Sequence, residues 1–286
     1  MKRVGLESVR WTATSILFTI PAWSVTGYHL LDMAATTISV RKAADIPRYS
    51  IDGGSASTHF SIPGAAMGVH ERFGALTVFN DDVLGPSMAT RPRTYAYVDV
   101  ITYVVDGYFR HDDTLGNDFV LQHGDVERFS FGSGVGDMMK NGSDTLDLRS
   151  IVLSIDARDR VGTPSIDHRS LKRSAVGRDQ KLIDVAIDDR WNPSSAMPLR
   201  QRGRVAVGLP GGFDDRIRIE GDYGVYIYAI CGSVGVGDMV LAEGDVATVT
   251  DAAELEIFGD GAAHALIVVV PLKDYEQPTG PASLPQ

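Results

Sequence analysis

The sequence predicts an all-β protein built from two jelly-roll barrels in one chain, and three observations carry that expectation. Short β-branched and aromatic runs recur along most of its length. Clusters of Gly, Asp and Asn separate them, and no segment keeps a long helical period. Two of these β units also echo one another. Many short strands with frequent turns belong to sandwiches and barrels.

The first 32 residues stand apart from this pattern. Lys2 and Arg3 precede a mildly apolar stretch, 11–25, that Thr, Ser and Pro21 interrupt. It is too short and polar for a membrane span, and no clear small-residue cleavage site follows an unbroken apolar core. Residues 1–37 are read as an extension, either an overextended start or a weak signal. Residues 38–160 are read as the first barrel, 161–180 as a connector, 181–274 as the second barrel, and 275–286 as a tail rich in Pro.

Within the first barrel the runs 76–79, 98–105 and 151–155 read as strands, and within the second 225–230 and 265–270 do so. The echo lies in their turns. Tyr103 to Gly107 is matched by Tyr228 to Gly232, and His123-Gly124-Asp125-Val126 by Glu243-Gly244-Asp245-Val246. Glycine at these points supplies the positive φ that a tight turn demands.

Composition excludes several functions. A length of 286 residues is enough for two ordinary cores. The net charge of −10 argues against a nucleic-acid surface, which needs a basic face. Cys231 is the one cysteine, so neither a disulfide framework nor a thiolate metal cluster is available. It is expected to be buried and inert on a strand. A cytoplasmic location away from membranes is expected.

The stretch 73–83, Phe-Gly-Ala-Leu-Thr-Val-Phe-Asn-Asp-Asp-Val, leads through Ile101-Thr102-Tyr103-Val104 and the Asp106-Gly107 turn. His111-Asp112-Asp113-Thr114-Leu115-Gly116-Asn117, Gly124-Asp125-Val126-Glu127-Arg128 and the Ser130 to Gly134 segment follow. In order and spacing these resemble the metal-bearing half of a pirin, a double cupin. The early Thr58-His59-Phe60-Ser61 is similar to the family's aromatic-serine segment. The resemblance implies two stacked cupin barrels with one metal, commonly iron, in the first. It also implies either quercetinase-like dioxygenase activity or a transcriptional-cofactor role.

The implied ligands are His-Pro-His on one strand, then a His and a Glu after a Ser-x-Gly-x-Gly turn. This chain reads Arg91-Pro92-Arg93 at the first pair, or Arg93 and Tyr95 in a gapless register from Tyr103. The later positions fall on Asp137 and Met139. Histidine donates a lone pair, whereas a guanidinium only donates hydrogen bonds and would repel a divalent cation. No metal and no other cofactor is therefore expected. A displaced site at His111, Asp112 and Asp113 is weighed against a hydrogen-bonded surface turn, and the turn is preferred. His29, His59, His70, His123, His168 and His264 show no ligand spacing and are read as structural or exposed.

Arg91 and Arg93 alternate across Pro92 and share a face in an extended strand. Asp137, mapped to the opposite wall, is their natural internal partner, so a salt bridge replacing the metal cross-link is one reading. The other is a pocket for a small anionic or carbonyl-rich molecule, polyketide-like in character. There Arg91, Arg93, Tyr95, Asp99 and Asp137 would do metal-independent isomerase or cyclase chemistry, and Tyr97 and Met139 would line the ligand. The alternatives are a non-catalytic regulatory module working through protein contacts and a dioxygenase with an unorthodox metal site. Oligomeric state is left open.

Overall fold

A computed structural model describes residues 36–51, 53–60, 72–90, 92–159, 162–171, 181–188, 196–219 and 221–273. The chain divides into residues 1–33 and 34–286. The extension, the 11–25 stretch, His29, His70 and the 275–286 tail lie outside the described residues, so the fold concerns the second unit.

The described residues form strands and one short 3-10 turn, Ala43–Asp45. In the first half the strands are β1 (Thr37–Arg41), β2 (Arg48–Ile51), β3 (Gly54–Thr58), β4 (Leu76–Leu84), β5 (Arg93–Tyr95) and β6 (Val98–Asp106). There follow β7 (Tyr108–Asp112), β8 (Asp118–Gln122), β9 (Asp125–Ser130), β10 (Val135–Asp137), β11 (Lys140–Asn141), β12 (Leu148–Asp156) and β13 (Ser165–Ser170). The second half adds β14 (Ile183–Asp188), β15 (Met197–Leu199), β16 (Arg204–Gly208), β17 (Phe213–Arg218) and β18 (Tyr223–Cys231). It closes with β19 (Val234–Val236), β20 (Met239–Leu241), β21 (Val246–Thr250), β22 (Glu254–Gly259) and β23 (His264–Pro271).

Two seven-stranded sheets dominate, in the orders β13-β9-β6-β12-β4-β3-β2 and β1-β21-β18-β23-β16-β14-β15. The runs recognised in the sequence lie in β4, β6, β12, β18 and β23, inside these sheets. Each is buried on both faces, which is why it reads as a nearly continuous apolar run. One face of each sheet packs against the other. Phe79, Ile101, Tyr103, Ile151 and Leu153 meet Val205, Val207, Tyr226, Leu266 and Val268 in a single cluster. Burying side chains of this size contributes roughly 1.5–3 kcal/mol each.

The outer face of each large sheet closes a barrel. The first is completed by β11-β7-β8 and by the pair β10-β5, the second by β17-β22-β19-β20. The echoed turns are equivalent in three dimensions. Gly107 and Gly232 take φ of 83° and 70°, and Gly124 and Gly244 take 81° and 79°. Gly124 N–H bonds Val104 O at 2.9 Å as Gly244 N–H bonds Ala229 O at 2.7 Å. A side chain at Gly107 would collide with Asp147 O at 2.2 Å.

Two segments sit elsewhere than the sequence reading put them. β1 pairs with β21 and so belongs to the second large sheet, although 38–160 was read as the first barrel. Ser165–Ser170, read as connector, is a strand on the edge of the first sheet beside β9. Both are edge strands with half-exposed, polar sequences, so their neighbours are set by tertiary contacts and not by their own pattern. Cys231 is also half-buried at the end of β18, where its thiol reaches Ala262 O at 3.4 Å.

Candidate functional site

The two barrels differ in what fills them. In the second, the row Ala247–Ile227–Ile267–Ala206 crosses the inner face of the sheet within a large apolar cluster. Polar side chains enter at its edge, where Asp184 stands beside Ala206 and Arg204 pairs with Asp184 and Asp215. In the first, the matching row is Thr58–Asn80–Val152–Thr102–Glu127. Direct cross-strand partners share a face, and this face also carries Leu84, Val104 and Leu148 of the barrel interior. In the next row Asp82 stands opposite Ser150. All six polar side chains in these two rows are buried. Asn80 Oδ1 and Glu127 Oε2 accept no aligned hydrogen bond among the described residues. A buried polar atom left so costs about 1–3 kcal/mol, and sites of this kind mark where a protein meets a polar ligand or water.

Across the barrel β7 presents His111, which is fully buried. Asp113 is held by the Leu115 N–H at 2.8 Å, the Asn117 N–H at 3.0 Å and Asn117 Nδ2 at 2.7 Å. Burial pushes its carboxyl up, but these bonds outweigh that and hold it below the usual carboxylate range. An ionised Asp113 only accepts, so His111 Nε2–H donates to it at 3.2 Å. The ring's other nitrogen, Nδ1, lies 3.1 Å from Glu127 Oε2. Phe119 stacks on the imidazole at 4.8 Å, and Phe129 meets it edge-on at 5.3 Å. The outer-turn placement expected for His111 is thus corrected. Asp112 is the half-exposed neighbour paired with Lys140, and burial alternates along β7 so that His111 turns inward.

The residues singled out in the sequence divide into two groups. Arg91 lies outside the described residues. Arg93 and Tyr95 sit on β5, and the register pairs Arg93 with Asp137 and Tyr95 with Val135. Asp137 is therefore on the adjacent strand and not on the opposite wall. Tyr95 packs on Phe131 at 4.8 Å. Met139 is buried with Leu84, Val104 and Phe109, and its sulfur accepts the Ser150 hydroxyl at 3.5 Å.

Asp99 does not join them. Tyr97, half-buried between β5 and β6, has a φ of 59°. That breaks the alternation that would carry one face from Tyr95 to Asp99. Asp99 falls with Ile101 and Tyr103 on the side facing the second sheet. There its Oδ2 accepts the Arg200 N–H at 2.6 Å. Burial raises its carboxyl pKa, and the Arg200 N–H and the Arg128 charge oppose the rise without cancelling it.

The sequence reading missed Asn80, Thr102, Glu127 and Ser150. Their signal was present as polar residues at alternate positions on strands otherwise apolar on that face, but register is needed to align them. Of the histidines, His59 and His264 are buried between the large sheets. The Tyr226 hydroxyl accepts from Arg41 at 3.2 Å and donates to His59 Nδ1 at 2.8 Å, and His264 Nε2 meets the Tyr103 hydroxyl at 2.9 Å.

Comparison with known proteins agrees with this architecture. The Pirin family model matches residues 45–151. A pirin-like protein of Caulobacter vibrioides is 29% identical over 204 residues, 71% of this chain and 86% of the relative. A Pseudomonas aeruginosa protein named "Putative quercetin 2,3-dioxygenase PA1210" is 27% identical over 218 residues, 76% of this chain and 92% of its own length. The crystal structure of YhhW from Escherichia coli superposes with a TM-score of 0.74 at 21% identity, covering 82% of this chain and 98% of YhhW. No helix of the described residues is long and apolar enough to cross a membrane. The chain thus carries a Pirin-family domain over residues 45–151, set in a two-barrel fold that it shares with pirin structures.

Proposed function

We propose that the first barrel binds a small carbonyl-rich or anionic organic molecule and turns it over by proton transfer, as a cofactor-free isomerase or cyclase. The observation that carries this reading is the buried polar row Thr58–Asn80–Thr102–Glu127, which stands where the second barrel has Ala247, Ile227, Ile267 and Ala206. Hydrogen-bonding groups on an otherwise apolar wall are what fixes and orients a small ligand. Arg93, on the β5–β10 pair of the same barrel, supplies a permanent positive charge suited to a carboxylate or enolate oxygen.

The acid–base group sought in Asp99 is better supplied by Glu127 with His111. Two lone pairs facing each other at 3.1 Å would repel, so a proton on one of the two atoms makes the contact favourable. That proton belongs to the pair. Asp113 fixes the imidazole from behind.

The family's metal does not fit the donors described. Among the described residues no group of three or more His, Cys, Asp or Glu could hold an ion. Both ring nitrogens of His111 are turned to carboxylates, and the family's pattern places Arg93 at a histidine position. The name of the P. aeruginosa relative favours a second reading, metal-dependent dioxygenation. The two readings separate in a thermal-shift and calorimetric screen of phenolic and polyketide-like carboxylates on metal-free protein. The proposal expects binding that Arg93→Leu abolishes. Binding that requires added iron, nickel or copper supports the dioxygenase instead.

A further inference from the structure

The polar row of the first barrel does not end at Glu127. On the edge strand β13 the register sets His168 directly across from Glu127. Direct cross-strand partners share a face, with Cβ atoms about 5 Å apart. A second contact places His168 on that face independently, because its ring stacks on Phe119 of β8 at 4.8 Å and 28°. Phe119 is in turn the cross-strand partner of His111 and lies on its imidazole at 4.8 Å and 7°. The three rings form one column that runs from the fully buried His111 to the exposed His168.

Glu127 and His111 are both buried, so a proton held between them is shut off from bulk water. A ligand that leaves in a protonation state other than the one in which it entered requires the pair to be reset from solvent. Phe119 and Phe129, which cover the imidazole, carry no exchangeable proton. Asp113, on the far ring nitrogen, is committed to its three N–H donors. An imidazole takes up a proton on one ring nitrogen and releases one from the other, and His168 stands in the same row with its ring at the surface. We propose that His168 is the proton relay between the Glu127–His111 pair and solvent, an inference that rests on the reading of that pair as the acid–base group. The Glu127 O–H bond breaks as an N–H bond forms on His168, directly or through one bridging water. The other ring N–H of His168 then passes its proton to bulk water, and the reverse order reloads the pair. Phe119, between the two imidazoles, holds His168 against the edge of the barrel.

The test is NMR on the full chain with isotope-labelled histidine, reading the low-field proton at the His111 Nδ1–Glu127 Oε2 contact and its exchange with water by saturation transfer. His168→Phe keeps a ring on Phe119 but carries no proton, and exchange should slow roughly ten-fold or more. In His168→Ala, imidazole added to the solution should restore the rate, which a purely structural role of the side chain would not give. Melting curves check that both variants keep the fold, as expected for an exposed residue on an edge strand. An exchange rate unchanged in His168→Phe overturns the relay and leaves the acid–base pair standing. Slowed exchange that imidazole does not restore makes His168 a packing residue and overturns the relay as well. A spectrum with no proton between His111 and Glu127 overturns the pair and the relay together.

Discussion

His111 Nδ1 lies 3.1 Å from Glu127 Oε2 inside the first barrel, with Asp113 on the opposite ring nitrogen. An imidazole between two buried carboxylates is costly unless every group is held and the proton count is right. The Leu115 and Asn117 bonds to Asp113 provide the first condition. In the proposed reading, one proton between the facing His111 Nδ1 and Glu127 Oε2 provides the second.

This arrangement separates two substitutions at one position. Glu127→Gln keeps a donor for Nδ1, and its melting temperature should stay within a few degrees of the parent. Glu127→Ala leaves the imidazole facing a void and should cost about 1–3 kcal/mol. Urea denaturation of the two variants checks this. Equal loss in both would mean that the carboxylate charge itself, and not a hydrogen bond, holds the pair.

At the β5–β10 pair, Arg93 stands directly across from Asp137. If Arg93 serves a ligand, Arg93→Leu removes binding and leaves the melting point nearly unchanged. If the two form a cross-link that replaces a metal, Asp137→Asn destabilises the ligand-free protein. Thermal melts of both variants decide which role dominates.

Between the sheets, Tyr228 donates to Asp81 Oδ2 at 2.7 Å while Arg149 grips the same carboxylate through Nε and Nη2. Tyr228→Phe removes one bond to a charged acceptor and should cost about 1.5–3 kcal/mol. Chemical denaturation measures it directly. A neutral result would mean that Arg149 alone satisfies Asp81.

Acid sensitivity follows from the two interfacial histidines. Burial, with the nearby Arg41 charge, lowers His59 to about 3. Burial, with nearby positive charges, lowers His264 to about 4. Both are neutral in the fold and protonate more readily when unfolded, so the unfolded chain binds more protons below about pH 6.5. Stability is then full above that pH and falls as the pH drops towards 4 and 3. The slope is at most about 1.4 kcal/mol per unit for each histidine. His264→Gln should flatten the profile in denaturation series between neutral and acidic pH.

The fold was legible because its central strands are buried on both faces, and because Gly107, Gly124, Gly232 and Gly244 mark equivalent turns. The edge strands β1 and β13 were not legible, since half-exposed polar segments carry no information on which sheet they join. Arg93 and Asp137 were named from the family pattern as lying on opposite walls, and the register sets them side by side instead. Asn80, Thr102 and Glu127 were hidden because each is an ordinary polar residue until four strand registers bring them into one row. Asp99 was misassigned because the positive φ at Tyr97 reverses the face that simple alternation would give.

The central claim is that the first barrel works on a small molecule without the family's metal. Elemental mass spectrometry on full-length protein, purified without chelators or a histidine tag, tests it most directly. The account predicts iron, nickel, copper, manganese and zinc far below one equivalent, together with ligand binding that survives dialysis against chelator. Near-stoichiometric metal, lost with the ligand-binding activity on chelation, would contradict it.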